Sequence, residues 1–361
     1  MKSNFSRRDF LKISGLTLGG LAFTPFLPGL TSFDDSFVVR IATAELPVRS
    51  LPTDDSRIYQ SWYRDTLVHV YEQVVAPEPK FNPVWYRVWG GYMHRGRLQR
   101  VKTIYQTPVE IPEGKKILTE VTVPFTTPYR FTKARGWEAM TPPVYYGSVH
   151  WVEAQEEGPK TADYTGAWYR IYDELDSNVP YYVPAIHLGV VPLSSFDPIS
   201  PDVPNEDKLI EVNLSTQTLI AYEHGRSVFQ TNISSGIRGG GQGGDKGIST
   251  TTPNGKFTIL DKYPSKHMGY SYFSTGKGGD VSTDESGYVL PGIPWSSFFT
   301  EVGHAFHGTY WHENFGTEMS HGCINMRTNE ANWIFRWAQP PHTTDAISNH
   351  HGHGTAVEIH Y

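Results

Sequence analysis

"HGTYWHENFGTEMSHGCINMR", residues 307 to 327, holds the one cysteine of a 361-residue chain, Cys323, with His307, His312 and His321 within sixteen positions upstream of it. A cysteine attacks as thiolate, and an unperturbed pKa of about 8.5 leaves little of that form near neutrality. A nearby imidazole corrects this by taking the proton and later returning it to a leaving amine. Which imidazole does so is the question the stretch poses. His321 stands two residues before Cys323, so in an extended segment both side chains leave the same strand face. His307 precedes Gly308 and Thr309, the pattern of a strand end opening into a loop that returns at Ser320. Two neighbouring strand ends joined by that loop bring His307 to Cys323. Gly322, directly before the thiol, has a permissive backbone that lets the N–H groups of Gly322 and Cys323 turn toward one point, as an oxyanion hole requires.

Downstream, "TNEANWIFRWAQP" spaces Ala331, Ile334, Phe335 and Ala338 at i, i+3, i+4, i+7, which predicts a helix capped by Thr328 and ended before Pro340. It is expected to pack beneath the strand of the thiol. Upstream, "KLIEVNLSTQTLIAYEHGRSVFQTNIS" alternates apolar and polar through Ile210, Val212, Leu214, Leu219 and Ala221, a β-hairpin pattern that leads to Ser235-Gly236. Gly239, Gly241 and Gly244 satisfy G-x-G-x-x-G. The β-branched residues, Pro253 and Gly255 that follow allow no helix to receive a pyrophosphate, so the run reads as a permissive loop. Residues 278 to 287 carry three acids without calcium-loop spacing and read as a solvated turn. The final "TAVEIHY" alternates as a closing strand.

Four pieces in a fixed order carry a family resemblance: Ser235-Gly236, "TPNGKF" (252 to 257), "HGT" (307 to 309) and "SHGCINM" (320 to 326). Together they resemble the L,D-transpeptidase catalytic domain, the YkuD domain, over about 209 to 361. In that family a His-Gly-Thr stands about sixteen positions before the Cys, and sixteen separate His307 from Cys323 here. The resemblance implies that Cys323 is the acyl-accepting nucleophile and His307 its base. It further implies that Ser320 and the backbone around Thr309 orient the imidazole, that Gly322 shapes the oxyanion site, and that His321, Asn325, Arg327, Thr309 and Tyr310 meet substrate. The implied reaction takes D-alanine off a peptidoglycan tetrapeptide stem and joins the acyl group to an amine of a neighbouring stem, a 3-3 cross-link made without metal or organic cofactor. Such a transferase would serve cell-wall biogenesis and cell shape. Hydrolysis of the same thioester would make a carboxypeptidase. A papain-like or NlpC-type peptidase places its Cys before its His, opposite to the order here, and a non-catalytic wall-binding protein would use the N-terminal modules alone.

Those modules are read from short strands and turns. "LPVRSLPTDDSRI", "WYRV" and "GYMHRGRL" resemble bacterial SH3-like domains and set a first domain at 37 to 105. Trp168-Tyr-Arg-Ile repeats Trp85-Tyr-Arg-Val 83 positions on, which suggests a second at 115 to 195. The Pro-, Ser- and Asp-rich residues 196 to 208 read as a linker to a catalytic domain at 209 to 361. The expected fold is mainly β: small SH3-like barrels, then a YkuD-type β-sandwich with a short helix after the cysteine. With 34 Gly, 26 Pro and 19% charged residues the composition agrees, since it favours short strands and turns over long charged helices. A net charge of −6 without a basic aromatic patch excludes a nucleic-acid partner.

"SRRDFLK", residues 6 to 12, ahead of an apolar stretch broken by Pro25 and Pro28, resembles a twin-arginine export signal over residues 1 to 34. It implies a chain exported to the cell wall, with the segment either removed or kept as a membrane anchor. In an oxidising compartment a lone cysteine makes no internal disulfide, so it either pairs between chains or works as a thiol.

Overall fold

The computed structural model describes residues 37–161, 164–238, 250–270, 289–344, 346–350 and 352–361. The export-signal reading, most of the glycine-rich run and the acid-bearing turn at 278 to 287 lie outside them. The chain divides into Met1–Asp35 and Ser36–Tyr361, and all that follows concerns the second unit. Strands dominate it, and the one α-helix among the described residues is Thr328–Trp337.

Residues 38 to 101 form two small sheets whose alternate residues close on Val39, Ile41, Val48, Tyr86, Val88 and Met93. Residues 117 to 190 form a seven-stranded sheet and a two-stranded one around Val121, Val152, Tyr169, Ile171 and Val183. The 83-residue repeat has a structural counterpart. Val84–Val88, Gly91–His94, the turn Arg95–Arg97 and Leu98–Val101 run in the same order as Trp168–Tyr172, Tyr181–Pro184, the turn Ala185–His187 and Leu188–Val190. Trp85 and Trp168 are each 1% exposed, so these aromatics are core and not platforms for a ligand.

The rest is built on two five-stranded sheets. One runs Arg226–Asn232, Thr218–Glu223, Lys208–Asn213, Ala356–His360, Gly255–Thr258. It contains the hairpin that the alternation predicts, with Ile210 opposite Ala221 and Val212 opposite Leu219. The closing strand Ala356–His360 lies parallel to Lys208–Asn213. The other sheet runs Ile324–Met326, Ala305–Gly308, Val289–Phe298, Asp261–Gly269, Asn349–His350. The helix Thr328–Trp337 buries Ala331, Ile334, Phe335 and Trp337 in a core shared with Phe306, Ile324 and Met326. Each large side chain so buried contributes about 1.5–3 kcal/mol. The helix packs against the strands of the site as expected, but its N-cap is Arg327, and Thr328, the expected cap, is its first helical residue. Two buried lysines hold its far end: Lys208 Nζ donates to Trp337 O at 3.0 Å, and Lys262 Nζ to Ala338 O at 2.9 Å and Pro340 O at 2.8 Å. Burial pushes the Lys262 ammonium down to about 7.

Residues 196 to 208 are more than a spacer. They carry the 3-10 turn Asn205–Asp207, and Phe196, 6% exposed, packs its ring 5.4 Å from that of Trp295 in the core. The second module also seats on the second sheet. Ser265 Oγ donates to Val149 O at 2.6 Å, and a Cβ on Gly292, at φ +70°, would stand 2.4 Å from the His150 ring, so only glycine lets this approach occur.

Candidate active site

The strand Ala305–Gly308 pairs in parallel with Ile324–Met326, His307 opposite Asn325. Carried two residues back, that register sets Cys323 opposite Ala305. Alternation then gives the pair two faces: Phe306, Ile324 and Met326 enter the core, while His307, Asn325 and Cys323 share the other face. The loop between the strands thus returns as the motif spacing predicts, and the thiol and the His307 imidazole lie on one surface of neighbouring strands.

His307 is buried, 2% exposed, and its Nδ1 lies 3.0 Å from the Gly308 carbonyl. A carbonyl only accepts, so Nδ1 carries the proton and Nε2 keeps its lone pair. The orienting group is therefore Gly308 O, in the backbone next to Thr309 to which the resemblance pointed, while Ser320, the other expected group, bonds to Cys323 O and Gly322 N instead. Burial holds the imidazole down at about 4, against a smaller upward pull from the Gly308 bond. Cys323 is half-buried as a residue. Desolvation nevertheless pushes its thiol up to about 11, with a hydrogen bond to the Ala305 backbone acting the other way. At rest Sγ donates to Gly303 O at 3.7 Å, and among the described residues no bond joins it to His307. The resting pair is a neutral thiol beside a neutral imidazole.

The turn before the thiol is tightly braced. Ser320 Oγ donates to Cys323 O at 2.5 Å and accepts from Gly322 N at 3.2 Å. Gly322, at φ +114°, has the left-handed backbone that its position suggested, but its N–H is engaged by Ser320 and is not an open oxyanion donor. Thr252 Oγ1 accepts from Gly236 N at 2.8 Å and donates to Gly322 O at 2.8 Å, tying two motif segments together. A Cβ on Gly236 would stand 2.1 Å from Thr250 O and 2.7 Å from Gly322 N, which explains the glycine there. Gln217 sits beneath. Its Nε2 donates to Ser235 Oγ at 2.7 Å and its Oε1 accepts from Ser235 N at 2.8 Å. The bracing roles of Thr252 and Gln217 were not legible in the sequence. Thr252 stood inside a recognised motif, whereas Gln217 appeared only as a turn residue.

The remaining expected substrate residues do not gather at the thiol. His321 is half-exposed beside it, and burial lowers its pKa. Asn325, 1% exposed, meets His312 Nε2 at 2.9 Å, and His312 Nδ1 accepts from Asn314 N at 3.2 Å. Tyr310 is buried with its hydroxyl donated to Pro291 O at 3.1 Å, so it is a core residue and not a substrate contact. Arg327 pairs with Glu330 at 3.3 Å, and together with Thr309 it lines a cavity that Cys323 does not line. The distance along the strands is the reason: Thr309 and Arg327 follow His307 and Asn325 by two residues, away from the thiol. His304 closes its own turn, Nδ1 against Thr300 Oγ1 at 2.9 Å, a structural role.

Comparisons with known proteins find likenesses to parts of this chain. Among solved structures, the Enterococcus faecium L,D-transpeptidase aligns at 21% identity over 42% of this chain and 49% of that one, TM-score 0.29. The catalytic domain of the E. faecium protein aligns at 22% identity over 43% of this chain and 97% of that one, TM-score 0.28. L,D-transpeptidase 3 from Mycobacterium tuberculosis, in complex with a faropenem-derived adduct, aligns at 19% over 53% and 77%, TM-score 0.30. The chain thus spans about half the length of the longer E. faecium protein. No curated protein sequence matches it. The family model for the L,D-transpeptidase catalytic domain, YkuD, matches residues 207–359, a span that contains His307, Cys323, Thr252 and Gln217. Residues 207–359 of this chain are therefore similar to a YkuD-type L,D-transpeptidase catalytic domain.

Proposed function

We propose that the protein is a peptidoglycan L,D-transpeptidase that forms 3-3 cross-links through a thioester on Cys323. The observation that carries this reading is the shared strand face of Cys323 and His307, with Nδ1 of the imidazole fixed on Gly308 O. As a donor stem closes over the half-buried sulfur, Nε2 of His307 takes the thiol proton and Sγ forms a bond to the carbonyl carbon of the stem's third residue. The oxyanion so formed faces the Cys323 N–H, since that of Gly322 is engaged. Collapse breaks the C–N bond, the His307 proton passes to the departing D-alanine amine, and a thioester remains. An amine of a second stem attacks it, gives its proton to His307 and releases the cross-linked product, while the sulfur recovers the proton. Starting from neutral partners, the proton moves only when a substrate is present, which keeps the resting thiol from reacting with solvent oxidants.

Export to the cell wall and wall attachment by SH3-like modules belong to the same proposal. They rest on the "SRRDFLK" leader and on the repeated Trp85 and Trp168 elements. Among the described residues no helix is long and apolar enough to cross a membrane. Incubation of the purified protein with tetrapeptide-bearing muropeptides, followed by product masses, tests the activity: dimers lighter by one D-alanine are expected. Cleaved stems alone would make it a carboxypeptidase, and unchanged material would leave a binding protein.

A further inference from the structure

A cavity of about 460 Å³ opens where the two N-terminal modules meet the catalytic domain, and no element of the mechanism above uses it. Its walls bring Arg100 from the first module, Glu120 and Tyr146 from the second, and Thr309, Glu313 and Arg327 from the catalytic domain. The charges inside it are poorly matched. Arg327 is drawn to Glu330, outside the cavity lining, at 3.3 Å, and reaches Glu313 only at 4.0 Å. The Glu120 carboxylate makes no ion pair or hydrogen bond within the described residues, although it is half-buried. Thr309 Oγ1 is buried and also lacks a partner. A desolvated carboxylate and an unmatched hydroxyl on the walls of one half-open cavity cost stability unless something binds them. The cavity also sits at a domain interface, where ligand sites concentrate.

We propose that this cavity is a binding site, separate from the thiol, for a small ligand carrying a primary ammonium group, with Glu120 as its counter-ion and the Thr309 hydroxyl as its hydrogen-bond partner. An ammonium supplies three donors and a positive charge, whereas among the described residues Glu120 has no cation of its own and Glu313 only the distant Arg327. An anion fits less well, because Arg327 already has Glu330, Arg100 holds its guanidinium over the Phe37 ring at 4.2 Å, and the two acids would repel it. Burial raises the carboxyls of both Glu120 and Glu313, as it does for acids awaiting a cation. Such a ligand could be a free amine or the side chain of a peptide. The walls include His312, which is bonded to Asn325, so an occupant would also touch the strands that carry the catalytic pair.

The test is binding, measured by calorimetry on the whole protein, and does not depend on the transpeptidase reading. The probes are cadaverine, L-lysine, the amide of N-acetyl-lysine, and glutarate as the anionic control. Saturable binding of an amine is expected, weakened about tenfold or more by Glu120→Gln, as loss of a charged hydrogen-bond partner does. Thr309→Val should weaken it by a smaller factor, and Cys323→Ala should leave it intact. Binding by the acetylated amide as well as by free amines marks a peptide side chain as the ligand, and binding by free amines alone marks a small molecule. Thermal melting checks each variant's fold, and Glu313→Gln replaces Glu120→Gln if the latter does not fold. Absence of saturable amine binding, affinity indifferent to both glutamates, loss of binding in Cys323→Ala, or binding of glutarate alone would each overturn the proposal.

Discussion

The strand pair at the centre of the site has two faces that obey different rules. Phe306, Ile324 and Met326 look into the core against the helix Thr328–Trp337, and their task is packing. His307, Asn325 and Cys323 look the other way, onto polar partners and a half-open thiol. The side chains alternate along the same few residues, so stability and chemistry are separated by a single peptide unit. Substitutions on one face should therefore be silent in the assay that reads the other.

Cys323→Ala sharpens that separation most. Acyl transfer should fall below detection while the urea midpoint stays near wild type, and incubation with a carbapenem should give no mass adduct. An adduct that persists on this variant would remove Cys323 from its role. His307→Gln should lower turnover by about 10²–10⁴, the range of a lost general base. Its effect on stability should be small, because glutamine can still donate to Gly308 O. Phe306→Ala, one residue away, reverses the pattern. It should cost about 3–5 kcal/mol in denaturant unfolding by leaving a cavity in the core. A Phe306 variant that folds as well as wild type but is inactive would break the comparison.

Acid should act first on the histidines buried at the site and at the module contact. Burial holds His307 and His150 at about 4 and His312 at about 3, each below its ordinary value of 6.5. Below about 6.5 the unfolded chain binds protons that the native state refuses, so stability is full above that pH. It falls progressively as pH drops toward the native values. At pH 5.5 the loss should be about 1 kcal/mol per histidine, roughly 3–4 kcal/mol for the three, read from urea midpoints. A flat profile between pH 7.5 and 5.5 would mean that these rings are not held neutral. In the same way, alkylation of Cys323 should lack the plateau between pH 4 and 8 that a standing thiolate–imidazolium pair gives, and should rise steeply only above about pH 9.

The smallest effect is expected from the brace. Thr252→Val keeps the shape but removes both the acceptor for Gly236 N–H and the donor to Gly322 O, and should cost about 1–3 kcal/mol. Turnover should fall with it, since Gly322 positions the sulfur. Unchanged turnover would show that the Ser320 bonds hold the turn without Thr252.

The local sequence of residues 307 to 327 determined the order of His307 and the thiol and their placement on neighbouring strand ends. These follow from alternation, glycine positions and loop length, all of which act over a few residues. The hairpin at 208 to 223, the helix after the thiol and the closing strand were legible for the same reason. Only the tertiary structure decided that Gly308 O rather than Ser320 fixes His307, because a backbone carbonyl has no signature in the residue type. The same holds for Thr252, Gln217 and the lysines Lys208 and Lys262, each of which reaches a partner between 18 and 129 residues away. The family resemblance implied that Tyr310, Thr309 and Arg327 would meet the substrate. A two-residue advance along a strand instead carries Thr309 and Arg327 to the far end of the pair, toward the N-terminal modules, and Tyr310 into the core. Sequence spacing determines face and order, whereas distances across the fold determine what each side chain finally touches.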